Sequence, residues 1–209
     1  MARAAPPATP PDDLRRRRLL DAALATFVRF GFRKTSMEEV ARGAHVSRQG
    51  LYLHFATKEE LFRAAVQYAM ETGLEGASAR LQDESLSVEE KLLGAFDEWV
   101  GRYVGMIGAD VTDLEEASAL LVGPLIPEHE ELFIGMVTKV IRASGLSAAY
   151  RPVGLTARQL ADTLHATARG LKHGCASRAE FGERFGVAVR ALCLPLSPRG
   201  RVGLDRKSL

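Results

Sequence analysis

Apolar residues recur every three or four positions along most of the 209-residue chain, which is the spacing of amphipathic α-helices. The first stripe comprises Leu20, Ala23, Phe27 and Phe30, and Gly31 then provides a helix stop signal. Later stripes are formed by Leu92, Phe96, Trp99, Tyr103 and Ile107, by Leu132, Phe133, Met136, Val140 and Ile141, by Leu160, Leu164 and Leu171, and by Phe181, Phe185, Ala188 and Leu192. No convincing alternation with a period of two is present, so the pattern predicts an all-α fold.

Hydroxyl residues followed three positions later by Glu or Gln predict where several helices begin. In such a capping box the hydroxyl accepts a hydrogen bond from an amide of the first turn, and the longer side chain reaches back to the cap. The matches are Ser36 with Glu39, Thr57 with Glu60, Ser87 with Glu90, Thr112 with Glu115, Thr156 with Gln159 and Ser177 with Glu180. Each match is weak alone, but all of them precede apolar periodicity and together favour a helical chain.

The segment EEVARGAHVSRQGLYLHF, residues 38–55, contains two short helical patterns separated by a tight turn. One helix is predicted over 37–43 after the cap Ser36, and the next begins after Ser47 and ends near Phe55. Ala41 supplies the small side chain that two closely crossing helices need. This is the arrangement of a helix-turn-helix, whose second helix enters the major groove of DNA.

The exposed face of this second helix carries side chains suited to DNA. Arg48 is able to bond guanine or a phosphate, and Gln49 is able to pair with adenine. Gly50 permits close approach of the backbone. Tyr52 and His54 complete the polar face, although both also fit a purely packing role against the first helix.

Positive charge is concentrated in the N-terminal third. Residues 1–68 hold twelve Lys and Arg against seven Asp and Glu, a balance of +5, whereas residues 69–209 hold sixteen against nineteen, a balance of −3. The N-terminal third is therefore the part expected to bind an anion. The run Arg15–Arg18 fits either that role or a solubilising tail.

The segment GFRKTSMEEVARGAHVSRQGLYLHFATKEELF, residues 31–62, closely resembles the DNA-binding domain of TetR-family transcriptional regulators. The resemblance implies that Thr35 and Ser36 hold a DNA phosphate, that Tyr52 and His54 contact the DNA backbone, and that Lys58 adds a phosphate contact. The last agrees with the attraction of an anion to a helix N-terminus. The full predicted DNA-contacting set is Thr35, Ser36, Ser47, Arg48, Gln49, Gly50, Tyr52, His54 and Lys58.

Two positions depart from the TetR pattern. His45 stands where the turn glycine is usual and must take whatever positive φ the turn requires, which His tolerates better than a β-branched residue. Gln49 stands where many members carry glycine, and Gly50 follows it. This shift prevents any assignment of base preferences by analogy.

The predicted architecture is an N-terminal three-helix helix-turn-helix domain followed by a larger helical domain for ligand binding and dimerisation. The predicted boundaries are a disordered tail at 1–11, the DNA-binding domain at 12–56, a connecting helix at 57–74, the regulatory domain at 75–196 and a second disordered tail at 197–209. The last two stripes predict an antiparallel helical hairpin across the short connection HGCAS, and these stripes are expected to form the dimer interface. Because TetR-like proteins dimerise through their final two helices, the resemblance implies a homodimer on a palindromic double-stranded DNA operator.

The resemblance also implies a pocket for a small-molecule inducer between the central helices. The candidate lining residues are Phe96, Trp99, Tyr103, Met106, Phe133, Met136, His165 and Arg169. His165 and Arg169 lie one turn apart and are able to hold a carboxylate or phenolate in an apolar cavity. The alternative is that the aromatic and methionine residues form core, and that His165 and Arg169 face solvent or a dimer partner.

Other function classes receive little support. The sequence has no apolar run of about 18 residues and no signal-peptide core, so a cytoplasmic protein without a membrane span is expected. It has no nucleophile elbow, phosphate loop or metal-ligand spacing, so no enzyme activity, cofactor or metal is predicted. Cys175 and Cys193 are expected to be packed thiols.

The predicted function is that of a homodimeric repressor released from its operator by a small, largely apolar inducer. The alternative is a constitutive regulator or architectural protein without an inducer. A filled core in the central domain would favour this alternative. The sequence does not identify the inducer, the operator or the direction of regulation.

Overall fold

The structure is a computed structural model, and it describes residues 11–106 and 111–196. The all-α prediction is confirmed, because these residues form ten α-helices, three short 3-10 turns and no strand. The α-helices are α1 (Pro11–Phe30), α2 (Met37–Gly43), α3 (Arg48–His54), α4 (Lys58–Gln82), α5 (Val88–Trp99), α6 (Val111–Leu121), α7 (Leu125–Ala143), α8 (Leu146–Tyr150), α9 (Ala157–Gly174) and α10 (Arg178–Cys193). Apart from Pro11, the predicted disordered tails lie outside the described residues, as does Ile107.

The chain divides into two compact units. The first comprises the described residues up to Met70 together with Met106 and residues 111–125, and the second comprises Glu71–Gly105 and the described residues from Ile126 onward. Helix α4 extends to Gln82, beyond the end of the connecting helix predicted at 57–74. Helix α6 packs with α1 in the first unit.

The first unit is built around the stripe on α1. Leu20, Ala23 and Phe27 are buried, and the Phe27 ring makes an edge contact with Phe62 of α4 at a centroid distance of 5.1 Å. Phe30 was predicted to share this buried face, but it is exposed at the end of the helix, where the Arg29 guanidinium lies 5.1 Å from its ring centre.

Three of the six predicted capping boxes are confirmed in full. Ser36, Ser87 and Thr156 form complete boxes at α2, α5 and α9. Thr57 and Ser177 accept the expected amide hydrogen bond, but their Glu partners accept from the preceding residue's amide instead. The prediction for Thr112 is wrong, because that residue lies inside α6 after Val111.

The second unit contains the predicted antiparallel hairpin of α9 and α10. Its apolar stripes face the interior of the protomer, where Leu164, Phe181 and Phe185 are each at most 1% exposed. Phe185 lies 4.7 Å from Phe96 of α5 and 5.5 Å from Phe181 between ring centroids. The expectation that these stripes form a dimer interface is therefore wrong, because they already pack against α5 and each other within one chain.

Two glycines allow the close packing that follows α5. Helix α5 ends at Trp99 and does not reach the predicted Ile107, because the chain tightens into a 3-10 turn at Gly101–Tyr103. A Cβ at Gly101 would lie 2.5 Å from Asp97 Oδ1. Gly105 has φ +79, and its Cβ would lie 2.8 Å from the Ala176 carbonyl oxygen.

Cys175 and Cys193 are buried free thiols, as predicted, and burial raises the pKa of Cys193 to about 11. Among residues 11–106 and 111–196, no single helix is both long and apolar enough to cross a membrane. One bent pair, Leu125–Ala143 with Leu146–Val153, meets those two criteria together and turns by 80° at its break.

Candidate DNA-binding and ligand-binding sites

The turn between α2 and α3 is closed by backbone hydrogen bonds. The His45 amide donates to the Arg42 carbonyl at 3.2 Å, and the Val46 amide donates to the Ala41 carbonyl at 3.0 Å. His45 has φ 55, which confirms the predicted positive φ, and it is the one non-glycine residue with this conformation in the described part of the chain. The small side chain of Ala41 is buried at this crossing, as predicted.

Helix α3 presents almost all of its side chains to solvent. Only Leu51 is buried among its residues. Arg48, Gln49, Tyr52 and His54 are exposed, and the Arg48 guanidinium lies 5.6 Å from the Tyr52 ring centre. The structure therefore brings the predicted base-facing and backbone-facing residues together on one seven-residue helix.

Ser47 and Gly50 have a structural relation that the sequence prediction did not include. The Gly50 amide donates to Ser47 Oγ at 2.9 Å, and a Cβ at Gly50 would lie only 3.1 Å from that oxygen. Gly50 is therefore the residue whose amide completes the N-cap of α3. The predicted DNA contacts of both residues stay predictions.

One exposed residue of α3 was missed in the sequence analysis. Leu53 is 81% exposed, next to Tyr52 on the helix. A large apolar side chain within an otherwise polar face was a visible signal. Apolar side chains contact the methyl group of thymine in the major groove, so Leu53 joins the candidate DNA-contacting residues.

The predicted phosphate-holding residues before α2 are engaged within the protein. Thr35 is 2% exposed, and its hydroxyl donates to the Gly31 carbonyl at 2.6 Å. Ser36 forms the capping box with Glu39, and the hydrogen bonds from the Ser36 amide and then from its hydroxyl lower the pKa of Glu39. Any phosphate contact by Thr35 must therefore compete with a buried intramolecular hydrogen bond.

Lys58 lies at the first position of α4, as the phosphate prediction requires, but its ammonium group has protein partners. Its Nζ donates to the Phe32 carbonyl at 2.9 Å and lies 4.4 Å from the Phe32 ring centre. The loop before α2 is thus attached to the start of α4. The phosphate contact of Lys58 stays a prediction.

Arg33 joins the same loop to α6, a contact between residues far apart in the sequence. Its backbone amide donates to Asp113 Oδ2 at 2.9 Å, its Nε lies 3.3 Å from Asp113 Oδ1, and its Nη2 lies 2.6 Å from Glu116 Oε2. Asp113 is buried, so Arg33 compensates a carboxylate that is removed from water.

Four of the eight predicted inducer-contacting residues form one aromatic cluster in the second unit. Trp99 stacks on Phe133 at 4.9 Å, Phe96 meets the same ring edge-on at 4.9 Å, and His165 lies 6.3 Å from it. All four are buried. Burial lowers the pKa of His165, which favours its neutral form. These rings fill the space between them, as core residues do.

The other predicted inducer contacts are not part of this cluster. Arg169 is exposed and lies 3.7 Å from Glu130, whereas His165 on the same helix is buried, so the two do not form the predicted anion clamp. Tyr103 is half-buried beneath the cationic groups of Arg102 and Lys172. Met106 is exposed in the first unit, and Met136 lies on α7.

A groove of about 860 Å³ runs beside α7 in the second unit. Its lining residues are Leu74, Pro127, Glu128, Glu131, Leu132, Gly135, Met136 and Lys139. Met136 is the only predicted inducer contact among them. The groove was missed from the sequence because the stripe on α7 identifies an apolar face without showing which part of it stays uncovered.

The tight turn and the exposed polar helix α3 define the first unit as a helix-turn-helix domain of the DNA-binding class. Residues 19–65 match the family model for bacterial regulatory proteins of the tetR family. The uncharacterised HTH-type transcriptional regulator YfiR of Bacillus subtilis is 34% identical over 74 residues, which cover 35% of this chain and 36% of YfiR. The transcriptional activator FasR of Mycolicibacterium smegmatis is 39% identical over 72 residues, 34% of this chain and 33% of FasR.

A solved structure extends the similarity to the whole fold. A TetR-like transcriptional regulator from Rhodococcus sp. RHA1 aligns with a TM-score of 0.60 and 23% identity, covering 91% of this chain and 99% of that one. Residues 19–65 therefore carry a DNA-binding domain of the tetR family of bacterial regulatory proteins. The chain spans only about a third of the length of the two named sequence relatives.

Proposed function

We propose that this regulator is a homodimeric repressor that a small, largely apolar inducer releases from a palindromic operator. The main support for this proposal is the exposed face of α3, which carries Arg48, Gln49, Tyr52 and His54. The helix is held in place by its N-cap Ser47 and by the buried side chain of Leu51. Guanidinium, amide, phenol and imidazole groups are suited to base edges and phosphates.

The outer face of the α9–α10 hairpin supports the dimer. Gly170 and Gly182 lie inside these helices, and a Cβ at either position would have no neighbour within 4 Å. Glycine in a helix interior costs about 1 kcal/mol relative to alanine, and packing within the protomer offers no compensation here. Val187 on α10 is also 60% exposed. A second copy approaching this face through a twofold axis would use both features, and its operator would be palindromic.

The groove beside α7 is the proposed inducer site. Its floor is apolar, with Leu74, Leu132 and Met136, and Gly135 leaves open space where a Cβ would stand. Glu128 and Lys139 provide charges of opposite sign about three helical turns apart along α7. Its volume lies within the range of small-molecule sites. The inducer acts on DNA binding through α4, which contributes residues to both units.

The constitutive alternative has one specific observation in its favour. The rings of Phe96, Trp99, Phe133 and His165 are buried and pack on one another, which favours core over pocket for these four residues. The groove is therefore the feature on which an inducible function depends.

Selection and sequencing of bound DNA fragments tests the DNA-binding part of the proposal. A palindromic consensus is expected, and the absence of any enriched sequence would overturn the proposal. Compounds that raise the melting temperature are then titrated against operator binding. By linkage, an inducer must weaken operator binding by the same factor by which the operator weakens inducer binding. The Met136→Trp variant identifies compounds that occupy the groove, because such compounds stabilise the wild type but no longer stabilise the variant. If these compounds leave the operator affinity of the wild type unchanged, constitutive regulation is favoured.

A further inference from the structure

The arginine run Arg15–Arg18 has no role in the function proposed so far. All four residues are exposed at the start of α1. Successive residues of an α-helix are about 100° apart, so the four side chains point in four different directions. They are therefore not equivalent, and the packing of α1 decides which of them faces the DNA-binding helix.

Arg16 lies on the packed face of α1. It precedes Leu20, Ala23 and Phe27 at intervals of four, three and four residues, and these three residues are buried. Arg16 thus continues the core stripe beyond the edge of the core. Arg18 lies about 200° away around the helix and faces the opposite direction.

The guanidinium of Arg16 is placed at the end of α3. Its central carbon lies 5.7 Å from the ring centre of Phe55, which is the C-cap residue of α3 and is 3% exposed. Arg48 occupies the first position of the same helix. The Arg48 guanidinium lies over Tyr52, one turn along the helix, so the Arg16 guanidinium adds positive charge at the C-terminal end of α3.

The length of α3 gives this placement a meaning for DNA binding. Seven residues extend about 10 Å along a helix axis, and the major groove is about 12 Å wide. When α3 lies in the groove, a cation at its C-terminal end comes close to the phosphates that border the groove. The ring of Phe55 holds the guanidinium there without neutralising its charge.

We propose that Arg16, packed on Phe55 at the C-terminal end of α3, contacts a DNA phosphate, whereas Arg18 makes no such contact. The inference rests on the proposed insertion of α3 into the major groove. Because a phosphate contact carries no base information, Arg16 strengthens binding to operator and to unrelated DNA alike. Each phosphate contact adds about 0.9 to the slope of log affinity against log salt concentration.

The test compares full-length Arg16→Met with the matched variant Arg18→Met, which loses the same charge from the same run. Methionine keeps a flexible chain over Phe55, so folding is preserved, and circular dichroism melting checks this. Binding to a fluorescent duplex of about three helical turns with arbitrary sequence is measured over a series of salt concentrations. Arg16→Met is expected to lower the slope by about one, and Arg18→Met is expected to leave it unchanged. Arg16→Lys should restore the wild-type slope.

Equal slopes for Arg16→Met, Arg18→Met and the wild type would overturn the inference, as would an equal loss in both variants. A role of Arg16 in stability alone would change melting without changing the slope and would also overturn it. Arg48→Ala separates this failure from failure of the proposed function. If Arg48→Ala loses operator binding while Arg16→Met does not, α3 still reads DNA and only the Arg16 contact is wrong.

Discussion

Gly170→Leu tests the proposed dimer face through two effects of opposite sign. Gly170 lies inside α9, and the space beside it is open within the protomer. Leucine is a better helix former than glycine by roughly 0.8 kcal/mol, so the protomer itself should become more stable. In a chain of this size that gain corresponds to an increase of roughly 2–3 °C in the melting temperature of the monomer.

The same leucine should oppose dimer formation. Inserting a large side chain into a close helix contact costs about 1–3 kcal/mol, and a twofold interface contains the substitution twice. The expected loss is therefore about 2–6 kcal/mol, which raises the dimer dissociation constant by about 30-fold or more. Sedimentation velocity over a dilution series measures this constant, and far-ultraviolet circular dichroism confirms that the helices are retained.

Ala79→Leu is the matched control, because it adds a leucine to an exposed position inside α4. It should leave the dimer constant at the wild-type value. If Gly170→Leu and Ala79→Leu dimerise equally well, the outer face of α9 is not the dimer interface and the argument from open glycines fails.

Three further substitutions test the packing of the described units. Leu164→Arg should place an uncompensated charge in the protomer core and lower the free energy of unfolding by roughly 3 kcal/mol or more, so that cooperative melting is lost. A variant that folds as a monomer would contradict this result and would indicate that Leu164 belongs to a dimer interface. Lys58→Ala should lower the salt slope of operator binding by about one. It should also lower the melting temperature, because the hydrogen bond from Lys58 to the Phe32 carbonyl is lost. An unchanged salt slope would show that Lys58 has a structural role only. Asp113→Ala should reduce the free energy of unfolding in urea by about 1–3 kcal/mol, because Asp113 is buried. The exposed Glu116 is the control, and Glu116→Ala should reduce this free energy by at most about 1 kcal/mol. Equal losses in the two variants would show that the burial of Asp113 does not decide its contribution.

Local features of the fold were predictable from the sequence because they depend on neighbouring residues. The bounds of α2, the N-cap Ser47 and the positive φ of His45 all follow from patterns within a few positions. The helix start at Thr112 was predicted wrongly, because a matching pair of residues does not reveal whether a helix has already begun.

Features that depend on distant parts of the chain were not predictable in the same way. The stripes containing Leu164 and Phe185 identify apolar faces, but periodicity does not show whether a face is covered by another helix of the same chain or by a second copy. Arg33 and Asp113 are eighty positions apart, so their contact leaves no local pattern. The aromatic residues near Phe133 were correctly grouped, yet only three-dimensional packing shows that their rings fill their own space.

The most direct test of DNA recognition by α3 is the affinity of Arg48→Ala for the operator recovered by selection. Arg29→Ala provides the control, because it removes the same charge from the exposed last turn of α1. A base-reading arginine is worth about 1–3 kcal/mol, so Arg48→Ala should bind the operator about 5- to 150-fold more weakly, while Arg29→Ala stays close to wild type. Wild-type operator affinity in Arg48→Ala would contradict the account, because the first residue of α3 would then make no energetically significant contact with DNA.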